Sequence, residues 1–227
     1  MKKKNQQGII VGGIIAAVVV VFIGVLFLAR PNVTSFDYEG IPADRTEDGA
    51  FILGDPSAPI TIVAWEDFLC SHCQDYQPEL KRFFEEYVET GQARFEFRML
   101  PISNQSQFVF QLVECAAIVQ DDPAAFWLAH DTMFAMTTTG TFDGADFARE
   151  IGVPYSELLD CTEEANQWQA DQAASNVGAL AGQITGTPAV GWRLNGGPVR
   201  LDIISRRPNT QQIGELITLF SSQTINQ

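Results

Sequence analysis

Cys70 and Cys73 stand two residues apart in Phe68-Leu69-Cys70-Ser71-His72-Cys73, where an apolar run gives way to a helical pattern. That spacing sets the first thiol at a helix N-terminus, facing solvent, with the second just behind it. A helix N-terminus carries unpaired N–H groups and a partial positive charge, and both favour a thiolate. Two thiols so placed open and close a disulfide with little backbone movement, so thiol–disulfide exchange is the chemistry expected. Cys70 is then the candidate nucleophile and Cys73 the candidate resolving thiol. His72, between them, stabilises the Cys70 thiolate if it is charged or donates a hydrogen bond.

Other uses of a C-x-x-C pair fare worse. An inert staple is the plain alternative. Zinc wants four ligands, usually a second C-x-x-C or two close histidines, and the chain has only His72, the distant His130 and the isolated cysteines Cys115 and Cys161. No metal site is expected. Covalent haem attachment needs a histidine directly after the second cysteine, and Gln74 is there instead. No cofactor is called for.

The elements that must position the pair come next. Ile60 to Trp65 is a β-branched apolar run, the mark of a strand buried on both faces. Phe51-Ile52-Leu53 is a short strand candidate closed by the turn residues Gly54 to Pro59. After the cysteines, Tyr76, Leu80, Phe83, Phe84 and Tyr87 recur at helical spacing to about Glu89, with a kink expected at Pro78 and a C-cap at Gly91. Ala93 to Leu100 alternates Phe95, Phe97 and Met99 with Arg94, Glu96 and Arg98, a strand with one polar face. Strand, helix and strand make a βαβ unit. Helical patterns follow over 105–120, 123–135, 144–151, 155–163 and 166–183. Ala189 to Leu194, the turn Asn195-Gly196-Gly197-Pro198, and Val199 to Ile204 read as a hairpin, and an amphipathic helix over 209–221 closes the chain.

The 227 residues suffice for one domain with a sizeable core plus accessory segments. Lys2, Lys3 and Lys4 precede an uncharged apolar run over residues 8–29, roughly 33 Å of helix and enough to cross a bilayer core. A cleaved signal peptide has a shorter apolar region and a small-residue cleavage site, which Phe27 and Ala29 fit poorly. The expected organisation is a cytoplasmic tail (1–7), a transmembrane signal-anchor (8–29), a linker (30–50) and an external domain (51–221). The three lysines put the short N-terminus in the cytoplasm by the positive-inside rule. Four of the fourteen Lys and Arg (Lys2, Lys3, Lys4, Arg30) belong to the anchor region, leaving ten basic against 28 acidic residues outside it, a formal −18. That excludes nucleic acid and anionic lipid as partners, since both need a basic face. All four cysteines lie in the external part, where an even count makes two disulfides the default.

Taken together, these stretches resemble the bacterial disulfide oxidoreductases related to DsbA, a thioredoxin fold with a helical insert. The resemblance runs from about Phe51 to Leu219. It rests on Leu53-Gly54-Asp55-Pro56 with Ala58-Pro59 as lead-in, on Asp67 before Cys70-Ser71-His72-Cys73, on Glu114-Cys115-Ala116 and Asp160-Cys161, and on Gly186-Thr187-Pro188 before a strand. It implies an α/β, thioredoxin-like domain with an inserted helical subdomain at about 104–183. It further implies that Thr187-Pro188 is a cis-proline loop facing the cysteines and binding an extended substrate peptide through the Thr187 backbone. Cys70–Cys73 would be the redox-active pair and Cys115–Cys161 a structural disulfide stabilising by roughly 2–5 kcal/mol.

The function so implied is that of a membrane-anchored, extracytoplasmic dithiol oxidase, a monomer that donates disulfides to reduced or unfolded proteins. A quinone-linked membrane oxidase would reoxidise it. A reductase or isomerase of the same fold is the alternative within the class; a binding module with two structural disulfides is the alternative outside it. Two positions depart from the family pattern. Ala64, six residues before Cys70, replaces a buried carboxylate found in thioredoxin and several relatives, which argues against an acid beneath the site. Ser71 replaces a common proline. Glu66 and Asp67 flank the motif and can act on its pKa or proton transfer, whereas His130, among aromatic residues on a helix, reads as a packing or surface residue.

Overall fold

A computed structural model of the chain describes residues 36–163, 184–194, 196–201 and 207–224. The expected anchor over 8–29 and the helix expected over 166–183 lie outside the described residues. Among those described, no helix is long and apolar enough to cross a membrane.

Five strands form one sheet in the order β1-β2-β4-β3-β5: β1 (Ala43–Arg45), β2 (Phe51–Leu53), β3 (Ile60–Glu66), β4 (Arg94–Met99) and β5 (Ala189–Leu194). The β-branched run becomes β3, buried at all seven positions. It runs parallel to β4, with Ala64 beside Phe97 and Glu66 beside Met99, and antiparallel to β5, with Trp65 beside Ala189. Side chains alternate across a strand, so β3 serves two cores. Ile60, Ile62 and Ala64 join the large cluster with Leu80, Phe83, Phe95, Phe97 and Trp127, while Val63 and Trp65 pack with Ala189, Leu100, Val199 and Leu201 on the other face.

The helix expected from Cys70 to Glu89 is broken rather than kinked. A single turn, α1 (Ser71–Gln74), ends at Asp75, and α2 (Gln77–Phe83) begins afresh with Pro78 in its first turn. Proline lacks only an N–H that has no intrahelical partner there, so the break follows from placing it at a start. A π-helical turn (Phe84–Val88) and Gly91, at φ +71°, return the chain to β4.

The insert comprises α3 (Asn104–Gln120), α4 (Ala125–Thr138), α5 (Gly144–Glu150) and α6 (residues 155–163). Ser103 caps α3 by accepting the Ser106 N–H, and Asp143 caps α5 through the N–H groups of Ala145 and Asp146. Cys115 of α3 is disulfide-bonded to Cys161 of α6. The C-terminal helix, α7 (Thr210–Thr224), is held to α2 where the Thr210 hydroxyl donates to the Glu79 backbone carbonyl and carboxylate.

Two expectations change. The stretch 30–50, read as a linker, is in its described part fastened to the domain. Phe36 is buried against Phe84, Tyr38 stacks on Trp127, and β1 adds an edge to the sheet. The sequence gives no periodicity there because single aromatic anchors, rather than a repeated face, make the contacts. The hairpin after β5 is described only as a bridge between Trp192 and Arg200; residues 202–206 lie outside the described residues. The polar face of β4 is also not a solvated one. Glu96 is fully buried and paired with Arg98 and with Arg193 of β5.

Candidate active site

Cys70 is the N-cap of α1. Its backbone is still extended (φ −76°, ψ 117°), and its carbonyl already accepts the Cys73 and Gln74 N–H groups at 3.0 Å. The side chain is half-buried, and its Sγ–H points at the Thr187 carbonyl, 3.4 Å away. Cys73, one turn on, is wholly buried, and the Asp67 N–H donates to its sulfur at 3.4 Å. Both are free thiols. The Thr187-Pro188 peptide is cis. β5, pairing with β3 from Ala189 onward, carries that loop to the cysteines. Residues 117 apart in sequence thus meet at one sulfur.

The two thiols are electrostatically unlike. Partial burial works against the Cys70 thiolate, but hydrogen bonds from the Thr187 side chain, from the Cys73 and His72 backbone amides and from the Cys73 side chain outweigh it, so its pKa falls below the ordinary thiol value. Burial pushes Cys73 far above that value, and the charge of Glu66 adds to the effect. His72 contributes through its backbone; its imidazole is exposed. The arrangement yields one reactive, accessible sulfur over one that stays protonated until its partner is attacked.

The sequence names Glu66 as a flanking acid able to act on the motif but, from Ala64, argues against an acid beneath the site; the structure corrects that second point. Ala64 does pack into the aromatic core, but Glu66, two residues further along the same face of β3, is fully buried beneath the site. Its Oε2 accepts the Gln77 amide at 2.8 Å, and the same amide nitrogen donates to the Cys73 carbonyl at 3.2 Å. Its Oε1 has no hydrogen-bond partner among the described residues. Burial raises the Glu66 pKa to about 8, against the Gln77 hydrogen bond and with the charge of Cys70. The signal available in the sequence was parity. On a strand of period two, 64 and 66 face the same way.

Asp67 is buried as well. Its carboxylate accepts the Leu69 N–H at 2.7 Å and the Ile102 N–H at 2.8 Å. His130 is a core residue with no exposure, ringed by Phe68, Phe97, Phe126, Trp127 and Phe134, with Nδ1 3.3 Å from Asp131 Oδ1. Its neighbour Phe68 leads directly into the active-site loop. Among the described residues no group of His, Cys, Asp and Glu could hold a metal ion.

A parallel-antiparallel sheet with a C-x-x-C helix start and a facing cis-proline defines a thioredoxin-type domain. Residues 46–196 match the family described as thioredoxin, and the chain belongs to it. Among curated proteins it is 27% identical over 174 residues to Na(+)/H(+) antiporter NhaA 3 of Salinispora tropica, a match covering 73% of this chain and 25% of that protein. The chain thus spans about a quarter of the length of that relative. It is 24% identical over 104 residues to disulfide bond formation protein D of Bacillus subtilis, covering 45% of this chain and 46% of that one. Similar solved structures include alpha-DsbA1 of Wolbachia pipientis (TM-score 0.63, 19% identity, 77% of this chain and 92% of that one). Oxidised BdbD of Bacillus subtilis is another (TM-score 0.58, 20% identity, 74% and 90%). The shared architecture is the DsbA-like thioredoxin fold with a helical insert.

Proposed function

We propose that this protein is an extracytoplasmic thiol:disulfide oxidoreductase working as a dithiol oxidase, tethered to the membrane by residues 8–29. The carrying observation is the contrast between the two thiols. Cys70, half-exposed at a helix N-terminus, has a stabilised thiolate, and Cys73 behind it does not. A stabilised thiolate favours the reduced form of the pair, which makes its disulfide a stronger oxidant.

In the oxidised protein a client thiolate attacks the Cys70 sulfur. The client–Cys70 bond forms, the Cys70–Cys73 bond breaks, and the electron pair leaves on Cys73, which takes up a proton. Glu66, with its pKa near 8, is the buried acid poised to supply it. The client's second thiolate then displaces Cys70. The client is oxidised by two electrons, and the protein is left as a dithiol. A membrane oxidase of the quinone-linked class would take those two electrons back, with Glu66 accepting the Cys73 proton. The antiporter-like and disulfide-formation relatives support a place at the membrane and this direction of exchange.

The test is trapping. Cys73→Ala should accumulate mixed disulfides with client proteins through Cys70, and thiolate ultraviolet absorbance should titrate Cys70 below a free cysteine. Unaltered exchange in Cys70→Ala would overturn the assignment.

A further inference from the structure

Each polar group of Asp67 is engaged at the active site. Its carboxylate accepts the Leu69 N–H at 2.7 Å and the Ile102 N–H at 2.8 Å, and its carbonyl accepts the Cys70 N–H at 3.1 Å. Its own N–H donates to the Cys73 sulfur at 3.4 Å. The residue is fully buried and stands one position past the end of β3. On the β4 side the sheet still reaches Glu66, whose carbonyl accepts the Leu100 N–H at 3.0 Å. On the β5 side it stops sooner. Extending the β3–β5 register two residues beyond Trp65 and Ala189 sets Asp67 opposite Thr187, but Pro188, between them, has no N–H with which to continue the ladder. Two backbone groups that would otherwise serve that rung turn to the thiols: the Asp67 N–H to Cys73, and the Thr187 carbonyl to the Cys70 Sγ–H.

We infer that Asp67 is a positioning residue for the buried thiol: its carboxylate, bonded at both oxygens, holds the Asp67 N–H on the Cys73 sulfur, where that N–H stabilises the charge the sulfur carries as the Cys70–Cys73 bond breaks or forms. The inference rests on the exchange reading and adds to it a donor that does not titrate. When a client thiolate attacks Cys70, the client–Cys70 bond forms, the Cys70–Cys73 bond breaks, and the electron pair arrives on Cys73. The Asp67 N–H meets that pair, and the proton then comes from Glu66. Turning the Asp67 backbone away from Cys73 would pull the carboxylate from the loop entering Cys70 and from the turn after β4, leaving buried N–H groups unpaired, which is costly. The charges that act on Cys73 are those of Glu66 and Cys70, so Asp67 works through its N–H rather than through its own charge.

The experiment uses the full chain as wild type, Asp67→Asn and Asp67→Ala. Asparagine keeps the shape and one carbonyl oxygen but sets an NH2 group against one of the two N–H donors. Each reduced protein is mixed with a chromogenic aryl disulfide. The first aryl thiolate released reports capture by Cys70; the second reports Cys73 attacking the mixed disulfide. A hydrogen bond to a charged group corresponds to roughly 10- to 100-fold in ionisation, and about half of the charge resides on the sulfur in the transition state. The second release should therefore slow by about three- to tenfold in both variants, by the same factor at acidic and at alkaline pH. The first release and the exchange constant with glutathione should match wild type, because Cys73 is protonated in the dithiol and uncharged in the disulfide. An unchanged second release overturns the inference. So does an equal change in the first release or in the glutathione constant, the mark of a loosened loop that disturbs Cys70 as well, and so does a factor that varies with pH, which assigns the effect to Glu66. The contact is also read with Asp67 intact: in Cys73→Ala the Asp67 amide should exchange with deuterium about tenfold faster than in reduced wild type, while the Leu69 and Ile102 amides keep their rates. Equal Asp67 exchange in the two proteins overturns the contact. If wild type releases no aryl thiolate at all, the exchange reading itself falls, and the role of Asp67 with it.

Discussion

Glu66 should make the fold less stable as pH rises through neutrality, the reverse of the usual carboxylate effect. Its carboxyl titrates near 4.5 in an exposed chain and about 8 in the fold. A group whose folded pKa is raised binds more protons folded than unfolded between those values. Its contribution is therefore intact below about pH 4.5 and is lost progressively as pH climbs to about 8. At about 1.36 kcal/mol per tenfold change in proton activity, the full loss is on the order of 5 kcal/mol, an upper bound because the site can relax around the charge. Asp48 and Asp131 carry lowered folded values, so their contributions change near and below pH 4, outside this window. The assay is urea unfolding of the Cys70→Ser/Cys73→Ser protein, which removes thiol titration, at intervals from pH 5 to 8. Wild-type Glu66 should give a midpoint that declines across the range, and Glu66→Gln should flatten the decline while leaving the m-value unchanged. Stability that rises with pH, or an equal slope in both proteins, would refute a neutral carboxyl beneath Cys73. With the cysteines restored, Glu66→Gln should slow Cys73 attack on a Cys70 mixed disulfide by roughly 10²-fold, the scale of one lost acid–base group.

Two further outcomes follow from the scaffold. Cys161→Ser, by opening the α3–α6 disulfide, should lower stability by about 2–5 kcal/mol yet leave the Cys70–Cys73 exchange rate intact, as read by denaturant unfolding and dithiothreitol oxidation. Gly54→Ala should also destabilise. The residue sits at φ +115°, and an added Cβ would lie 3.0 Å from the Ala93 carbonyl, so a loss of about 1–3 kcal/mol is expected in thermal or urea melts.

The backbone of the site was legible because it is written in local signals. An apolar β-branched run and a C-x-x-C at the following helix start point to Cys70 and Cys73, while Thr187 and Pro188 enter through the family resemblance; the structure brings the Thr187 carbonyl to the Cys70 sulfur and makes the Thr187-Pro188 peptide cis. What sequence could not carry was anything set by the partner across a gap. Nothing in the alternation of Arg94, Glu96 and Arg98 says that Arg193 will arrive from β5 to pair with Glu96 and bury the polar face. Phe36 and Tyr38 look like linker residues until Phe84 and Trp127 are beside them. Asp67 reads as an acidic neighbour of the motif, and its hold on Ile102 spans 35 residues.

The misjudged acid has a physical logic of its own. Position 64 lies opposite Phe97, whose ring contacts Phe68, Phe110, Phe126 and His130. A carboxylate there would have to displace part of that aromatic cluster, and burying a charge without a partner is prohibitive. Alanine leaves the cluster room to close. Two residues on, about 7 Å nearer the end of the strand, the same face meets α2 instead, where Gln77 supplies a donor and the Cys73 carbonyl fixes that donor in turn. An acid at 66 therefore keeps one hydrogen bond and a raised pKa at once, which lets it hold a proton at neutral pH and remain titratable. Moving it to 64 in an Ala64→Glu/Glu66→Ala double variant should leave it without Gln77. The expected outcome is a protein less stable by several kcal/mol, with Cys73 resolution slowed as in Glu66→Gln; resolution at the wild-type rate would show that position on the face, rather than the Gln77 contact, is what the chemistry needs.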